Sequence, residues 1–120
     1  MARLLLVDDD AASLDLMRRA LEADGHTIAV AENGADARDL LHKAPAAFEC
    51  VVTDVNMPGM NGIDLLREAR GISAGLRFVM ISGFMEQLES AKGPLGTGLT
   101  TLAKPFTLDQ IRAAVRQALA

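Results

Sequence analysis

A chain of 120 residues, half of them hydrophobic, can build one sizeable core and leaves little length for a second, so residues 1–120 are read as a single domain. Its net charge of −4, with no basic run, leaves no footprint for a phosphate backbone and argues against direct binding of nucleic acid. One cysteine excludes an internal disulfide, no apolar run reaches membrane length, and the N-terminal apolar stretch meets three aspartates too soon for a signal peptide. A cytoplasmic protein that enters no membrane is expected.

Leu4 to Val7 is an apolar run of strand length that stops at Asp8, Asp9 and Asp10. From Ala11 to Asp24, Leu14, Met17 and Leu21 recur at helical spacing, and Gly25 is placed to close that helix. Thr27 to Ala31 reads as a second strand, Asn33-Gly34 as a turn, and Ala35 to Lys43 as a second helix with Leu40 and Leu41 inward, ended by Pro45. Cys50 to Asp54 is a third strand with Cys50 as a small core hydrophobe. A turn-rich stretch follows, and a third helix runs from Ile63 to Arg70, carried inward by Ile63, Leu66 and Ala69 and ended by Gly71. Arg77 to Ile81 reads as a buried fourth strand closed by Ser82-Gly83, and Phe84 to Lys92 as a short fourth helix before a glycine-rich loop from Gly93 to Gly98. Leu99 to Ala103 is the fifth strand. A last helix turns Leu108, Ile111, Val115 and Ala118 inward. Strands alternating with helices predict an α/β fold, a parallel doubly wound sheet of five strands flanked by five helices.

Ligands of such sheets sit outside the carboxyl ends of the strands, and the residues there carry the chemistry. Asp8 and Asp9 follow the first strand, Asp54 closes the third, Ser82 the fourth, and Lys104 follows the fifth. Carboxylates sharing one crevice repel by up to about 4 kcal/mol per pair near 4 Å at an effective dielectric of about 20, so the arrangement calls for a counter-charge. Oxygen ligands without His or Cys suit Mg²⁺, which keeps several waters and takes one or two carboxylates with a phosphate oxygen. A carboxylate nucleophile, a metal, a hydroxyl and a lysine are the parts of a phosphoryl-transfer site. Each residue also has a plain structural reading: Asp54 as a turn cap, the aspartates as caps of the first helix, Ser82 as a strand end, Lys104 as a surface lysine.

The residues Val7-Asp8-Asp9, Thr53-Asp54-Val55-Asn56-Met57-Pro58-Gly59-Met60-Asn61-Gly62, Ile81-Ser82-Gly83 and Leu102-Ala103-Lys104-Pro105-Phe106 resemble the signature set of the receiver domain of two-component response regulators. The resemblance covers essentially the whole chain. It implies a flavodoxin-like, CheY-like fold with strand order 2-1-3-4-5. It further implies that Asp54 accepts a phosphoryl group from a histidine kinase or phosphotransfer protein, in a phosphorelay that switches a surface for a downstream protein partner. Asp9, Asp54 and the carbonyl of Asn56 would ligate Mg²⁺, with Asp8 acting through water, while Ser82 and Lys104 would hold the phosphoryl oxygens. Lys104-Pro105 is the expected cis bond. One position departs from the pattern: Thr101 stands where many receivers carry Tyr or Phe, and the chain has no Tyr.

The final helix ends almost at the C-terminus, so a stand-alone receiver without an output domain is expected, and a receiver cut from a hybrid kinase or longer regulator is the alternative. Two other readings remain open from the residues. A Mg²⁺-dependent phosphatase resembling the haloacid dehalogenase group uses similar parts, but carries a second acid where this chain has Asn56. An unphosphorylated receiver-like binding module is the third. A turnover enzyme is not expected. His26 and His42 stand alone beside turns and are read as solvated.

Overall fold

The computed structural model describes residues 2–84, 86, 89 and 98–120. Five strands, β1 (Arg3–Val7), β2 (Thr27–Ala31), β3 (Cys50–Asp54), β4 (Arg77–Ser82) and β5 (Leu99–Ala103), form one parallel sheet in the order β2-β1-β3-β4-β5. Four helices are described: α1 (Ala11–Ala23), α2 (Gly34–Lys43), α3 (Gly62–Ile72) and α4 (Leu108–Leu119). The helix expected between β4 and β5 and most of the glycine-rich loop fall outside the described residues.

Parallel strands with helices on both faces must bury both of their own faces, and the side-chain alternation of each strand divides the core in two. Leu4 and Leu6 of β1, Cys50 and Val52 of β3, and Val79 and Ile81 of β4 point to the side covered by α1 and α4, where Leu14, Met17, Leu21, Ile111 and Val115 meet them. Leu5, Val7, Val51, Phe78 and Met80 point to the opposite side, against Ala37 and Leu41 of α2 and Leu65, Leu66 and Ala69 of α3. Each helix starts on a side-chain cap at the carboxyl rim. Asp10 accepts the N–H of Ala12, Asn33 that of Asp36, Asn61 that of Asp64 and Thr107 that of Gln110, and each such cap contributes about 1 kcal/mol. Of the aspartate triplet, then, the third member serves α1.

Three local expectations are corrected. Gly71 does not end α3, which runs on to Ile72 with Ser73 as its C-cap. Ile72 packs against the core and offsets the cost of glycine inside a helix, about 1 kcal/mol. Leu108, the first residue of α4, is 41% exposed, and the inward face is made instead by Ile111, Ala114, Val115 and Ala118, at helical spacing. His26 is not merely solvated: its Nδ1 accepts the backbone N–H of Ala2 at 3.0 Å, pinning the chain before β1 to the start of β2.

Two measurements follow from the packing. Leu6→Ala, in the fully buried middle of β1, should lower the unfolding free energy by about 2–5 kcal/mol in urea titrations, whereas Leu16→Ala on the exposed side of α1 should change it by less than about 0.5 kcal/mol. Burial pushes the Cys50 thiol up to about 12, so the folded protein should leave a thiol reagent unconsumed at pH 8 and react only when unfolded.

Candidate functional site

Strand register decides which residues meet at the carboxyl rim. Val7 lies opposite Thr53, so Asp8, one residue on, comes level with Asp54 on the adjacent strand, where strands are about 4.8 Å apart. Asp54 lies opposite Ile81, and Ser82 opposite Ala103, which sets Lys104 just past the end of β5. Asp8 and Asp54 continue the alternation of Leu4, Leu6 and of Cys50, Val52, so both carboxylates belong to the α1 and α4 side of the sheet.

Both are buried: Asp54 is 4% exposed and Asp8 5%. Lys104 Nζ donates to Asp54 Oδ2 across 50 residues of chain, in a close contact between a half-exposed ammonium and a buried carboxylate. The other oxygen, Oδ1, accepts the backbone N–H of Asn56 at 3.1 Å. Asp8 Oδ1 accepts the N–H of Asp10 at 2.9 Å. Burial raises the Asp8 carboxyl above the usual carboxylate range; the Asp10 N–H opposes this, the charges of Asp54 and Asp9 add to it, and Lys104 relieves it. Burial pulls the Lys104 ammonium down, but the hydrogen bond to Asp54 and the fields of Asp54, Asp8 and Asp9 together win, and its net shift is upward. These mutual influences place Asp8, Asp9, Asp54 and Lys104 in one electrostatic neighbourhood.

Ser82 is fully buried at the end of β4. Its hydroxyl oxygen accepts the N–H of Phe84 at 3.0 Å and donates to the carbonyl of Phe84 at 3.4 Å, while its backbone carbonyl accepts the N–H of Lys104 at 2.9 Å. The Phe84 ring itself is 63% exposed. Thr101 is half-buried opposite Met80, and the Lys104-Pro105 bond is cis.

Asp9 and Asn56 are exposed at the rim. Among the described residues, no three His, Cys, Asp or Glu side chains are gathered closely enough to enclose an ion. The donor chemistry nevertheless fits a hard divalent cation: three acids face one lysine, all ligands are oxygen, and exposure at Asp9 leaves room for the waters that Mg²⁺ retains.

Two supports of Asp54 were not legible as such. Thr53 Oγ1 donates to the Asp54 carbonyl at 3.0 Å. Gly62 packs so tightly under the strand end that a β-carbon there would lie 2.4 Å from the same carbonyl oxygen. In sequence Gly62 looks like a turn residue; its neighbour is known only once α3 folds back under β3.

A five-stranded parallel sheet in this order, with acids, a hydroxyl and a lysine gathered at one rim, is the receiver class of α/β fold. Residues 4–116 match the family described as response regulator receiver domain, and the chain belongs to that family. It is 34% identical over 118 residues to the sensor kinase CckA of Brucella abortus, covering 98% of this chain and 12% of that protein. It is 31% identical over 117 residues to the response regulator MprA of Mycobacterium tuberculosis, covering 98% of this chain. The chain thus spans about half the length of MprA and a small part of CckA. Among solved structures, a response regulator receiver protein from Sinorhizobium medicae superposes with a TM-score of 0.87 at 31% identity, covering 98% of this chain and 94% of that one. The receiver domain of the hybrid histidine kinase CckA gives 0.84 at 30%, covering 98% and 99%. No helix among the described residues is long and apolar enough to cross a membrane.

Gly62→Ala should force the Asp54 backbone or α3 to shift and cost about 1–3 kcal/mol in urea unfolding. A neutral substitution would show that the two elements are not so close.

Proposed function

We propose that Asp54 is the phosphoacceptor of a two-component phosphorelay, taking its phosphoryl group from a histidine kinase or a histidine phosphotransfer protein. The observation that carries this reading is the Lys104–Asp54 contact at the rim, beside buried Asp8. A structural ion pair gains little at a half-exposed lysine, whereas a nucleophilic carboxylate needs a cation that can pass from the carboxylate to the incoming phosphoryl oxygens.

In the transfer, a carboxylate oxygen of Asp54 forms a bond to phosphorus as the phosphorus–nitrogen bond of the donor histidine breaks, and the imidazole leaves with the bonding pair. Asn56 N–H holds the second carboxylate oxygen and so orients the first. Lys104 turns from the carboxylate to the phosphoryl oxygens, and Ser82, now tied to Phe84, turns its hydroxyl to them as well. Asp8, Asp9, Asp54 and the Asn56 carbonyl are the residues that would hold Mg²⁺. The ion would neutralise phosphoryl charge while that charge is being transferred.

The product adds negative charge and acceptor oxygens to the rim. Because the Ser82 hydroxyl braces the backbone of Phe84, its reorientation would release the chain leaving β4 and alter a surface read by a downstream protein. With Thr101 in place of an aromatic ring, this backbone route carries the signal. The chain acts in the cytoplasm as a switch with no turnover of a small substrate and no direct contact with nucleic acid or membrane.

Labelling with a small acyl phosphate and Mg²⁺ tests the reading. Wild type should acquire one base-labile phosphoryl group and Asp54→Ala none. An unlabelled wild type would leave a receiver-like binding module, and an equally labelled variant would put the acceptor elsewhere. Phe84→Ala should shorten the phosphoryl lifetime by admitting water beside Ser82; unchanged decay would confine Phe84 to its backbone role.

A further inference from the structure

We propose that Gly34, the first residue of α2, is a positioning residue for Asp54, acting through Met60 and the loop that carries Asn56. Gly34 is buried, and a β-carbon there would lie 2.7 Å from the carbonyl oxygen of Met60 and 2.9 Å from its Cβ. The nearer atom is backbone, so it cannot rotate aside. The contact joins elements that the sheet sets apart: α2 follows the edge strand β2, while Met60 sits in the loop between β3 and α3.

Backbone hydrogen bonds tie that loop at both ends, and Met57 and Met60 pack into the core between them. The N–H of Val55 bonds the carbonyl of Ile81 at 2.9 Å, and the N–H of Gly62 bonds the carbonyl of Val55 at 2.9 Å. Between these ties Met57 is buried, Pro58 and Gly59 are exposed, and Gly59 takes a positive φ of 76°. A side chain added at Gly34 would have the capped first turn of α2 behind it, since Asn33 Oδ1 accepts the N–H of Asp36 at 2.8 Å. Of the two surfaces in contact, the loop is the one that yields. Residues 56 to 60 then shift together, and the bond from Asn56 N–H to Asp54 Oδ1, already 3.1 Å, is the one that lengthens. The edge of the sheet thereby sets how firmly the carboxylate is aimed. The catalytic consequence rests on Asp54 being the phosphoacceptor; the contact does not.

The test compares Gly34→Ala with Gly71→Ala, a glycine of α3 whose β-carbon would meet nothing within 4 Å. Hydrogen exchange of the Asn56 amide is followed by NMR, and acyl-phosphate labelling is timed on the same samples. Gly34→Ala should speed exchange of that amide about fivefold, with β1 and β3 still protected, and slow labelling to a similar degree. Gly71→Ala should change neither. Adding Met60→Gly to Gly34→Ala should restore part of both, because the loop regains backbone freedom. An Asn56 amide unchanged in Gly34→Ala overturns the proposal, whatever the variant does to stability. If Gly34→Ala does not fold, Met60→Ala decides: faster Asn56 exchange supports the link and unchanged exchange overturns it. If wild type takes no label, the phosphoacceptor reading fails while the amide result still judges the contact.

Discussion

The structure turns on the burial of acid at the carboxyl edge of a parallel sheet. Asp8 and Asp54 come level on neighbouring strands with almost no exposure, and like charges at such spacing are costly away from water. Lys104 is the cation that answers them among the described side chains of the site, and it arrives from β5, two strands away from β3. Burial, and then the charge of Asp54, raises Asp8, while against its own burial Lys104 takes a net upward shift from the hydrogen bond to Asp54 and the surrounding acids. The excess negative charge is the feature on which the proposed binding of a cation and a phosphoryl group rests.

Holding that charge requires backbone to be packed closely around it. The strand end at Asp54 is braced by the Thr53 hydroxyl, by α3 through Gly62, and by the Asn56 N–H on the carboxylate. The loop bearing Asn56 rests in turn on α2 through Gly34. Glycine occupies both contacts because the approach leaves no space for a β-carbon. The two sides of the rim differ as a result. Toward β3 and α2 backbone in van der Waals contact adds to the hydrogen bonds around Asp54, and toward β4 the Ser82 hydroxyl makes two hydrogen bonds to the Phe84 backbone. Hydrogen bonds exchange partners more readily than packed backbone moves, which is why the proposed switch is assigned to the Ser82 side.

The division of the core supports this arrangement. β1 and β3 are covered on both faces, so their direction is fixed by side chains from all four described helices. Residues at their ends inherit that rigidity, which is why acids can be held there at all. β5 lies at the sheet edge, its first four residues half-buried and Ala103 exposed, and Lys104 beyond it keeps 43% of its side chain exposed. The buried charge and the half-exposed counter-charge are thus carried by a central and a peripheral strand.

Much of this was legible in the chain itself. Apolar runs ending at Asp or Ser gave the central strands β1, β3 and β4 to within a residue, because a strand buried on both faces has no other composition open to it. The partly buried edge strands β2 and β5 were placed by their β-leaning residues between turns. Residues with caps at one end and i, i+3, i+4 spacing gave the four described helices, and the motifs carried the family and its strand order. Local pattern failed at Gly71, where the packing of Ile72 carries the helix on, and at Leu108, which lies on the exposed first turn of α4.

What sequence determined by itself was the kind of residue at each strand end, since composition and periodicity are properties of the chain. Only tertiary structure decided which of those ends face one another: that Lys104 takes Asp54 Oδ2, that Asp8 titrates in the field of Asp54, and that Gly34 and Gly62 are tight because other backbone lies against them. Contact between residues tens of positions apart is set by register and layer packing. Those are energies of the whole sheet, and no short window of sequence contains them.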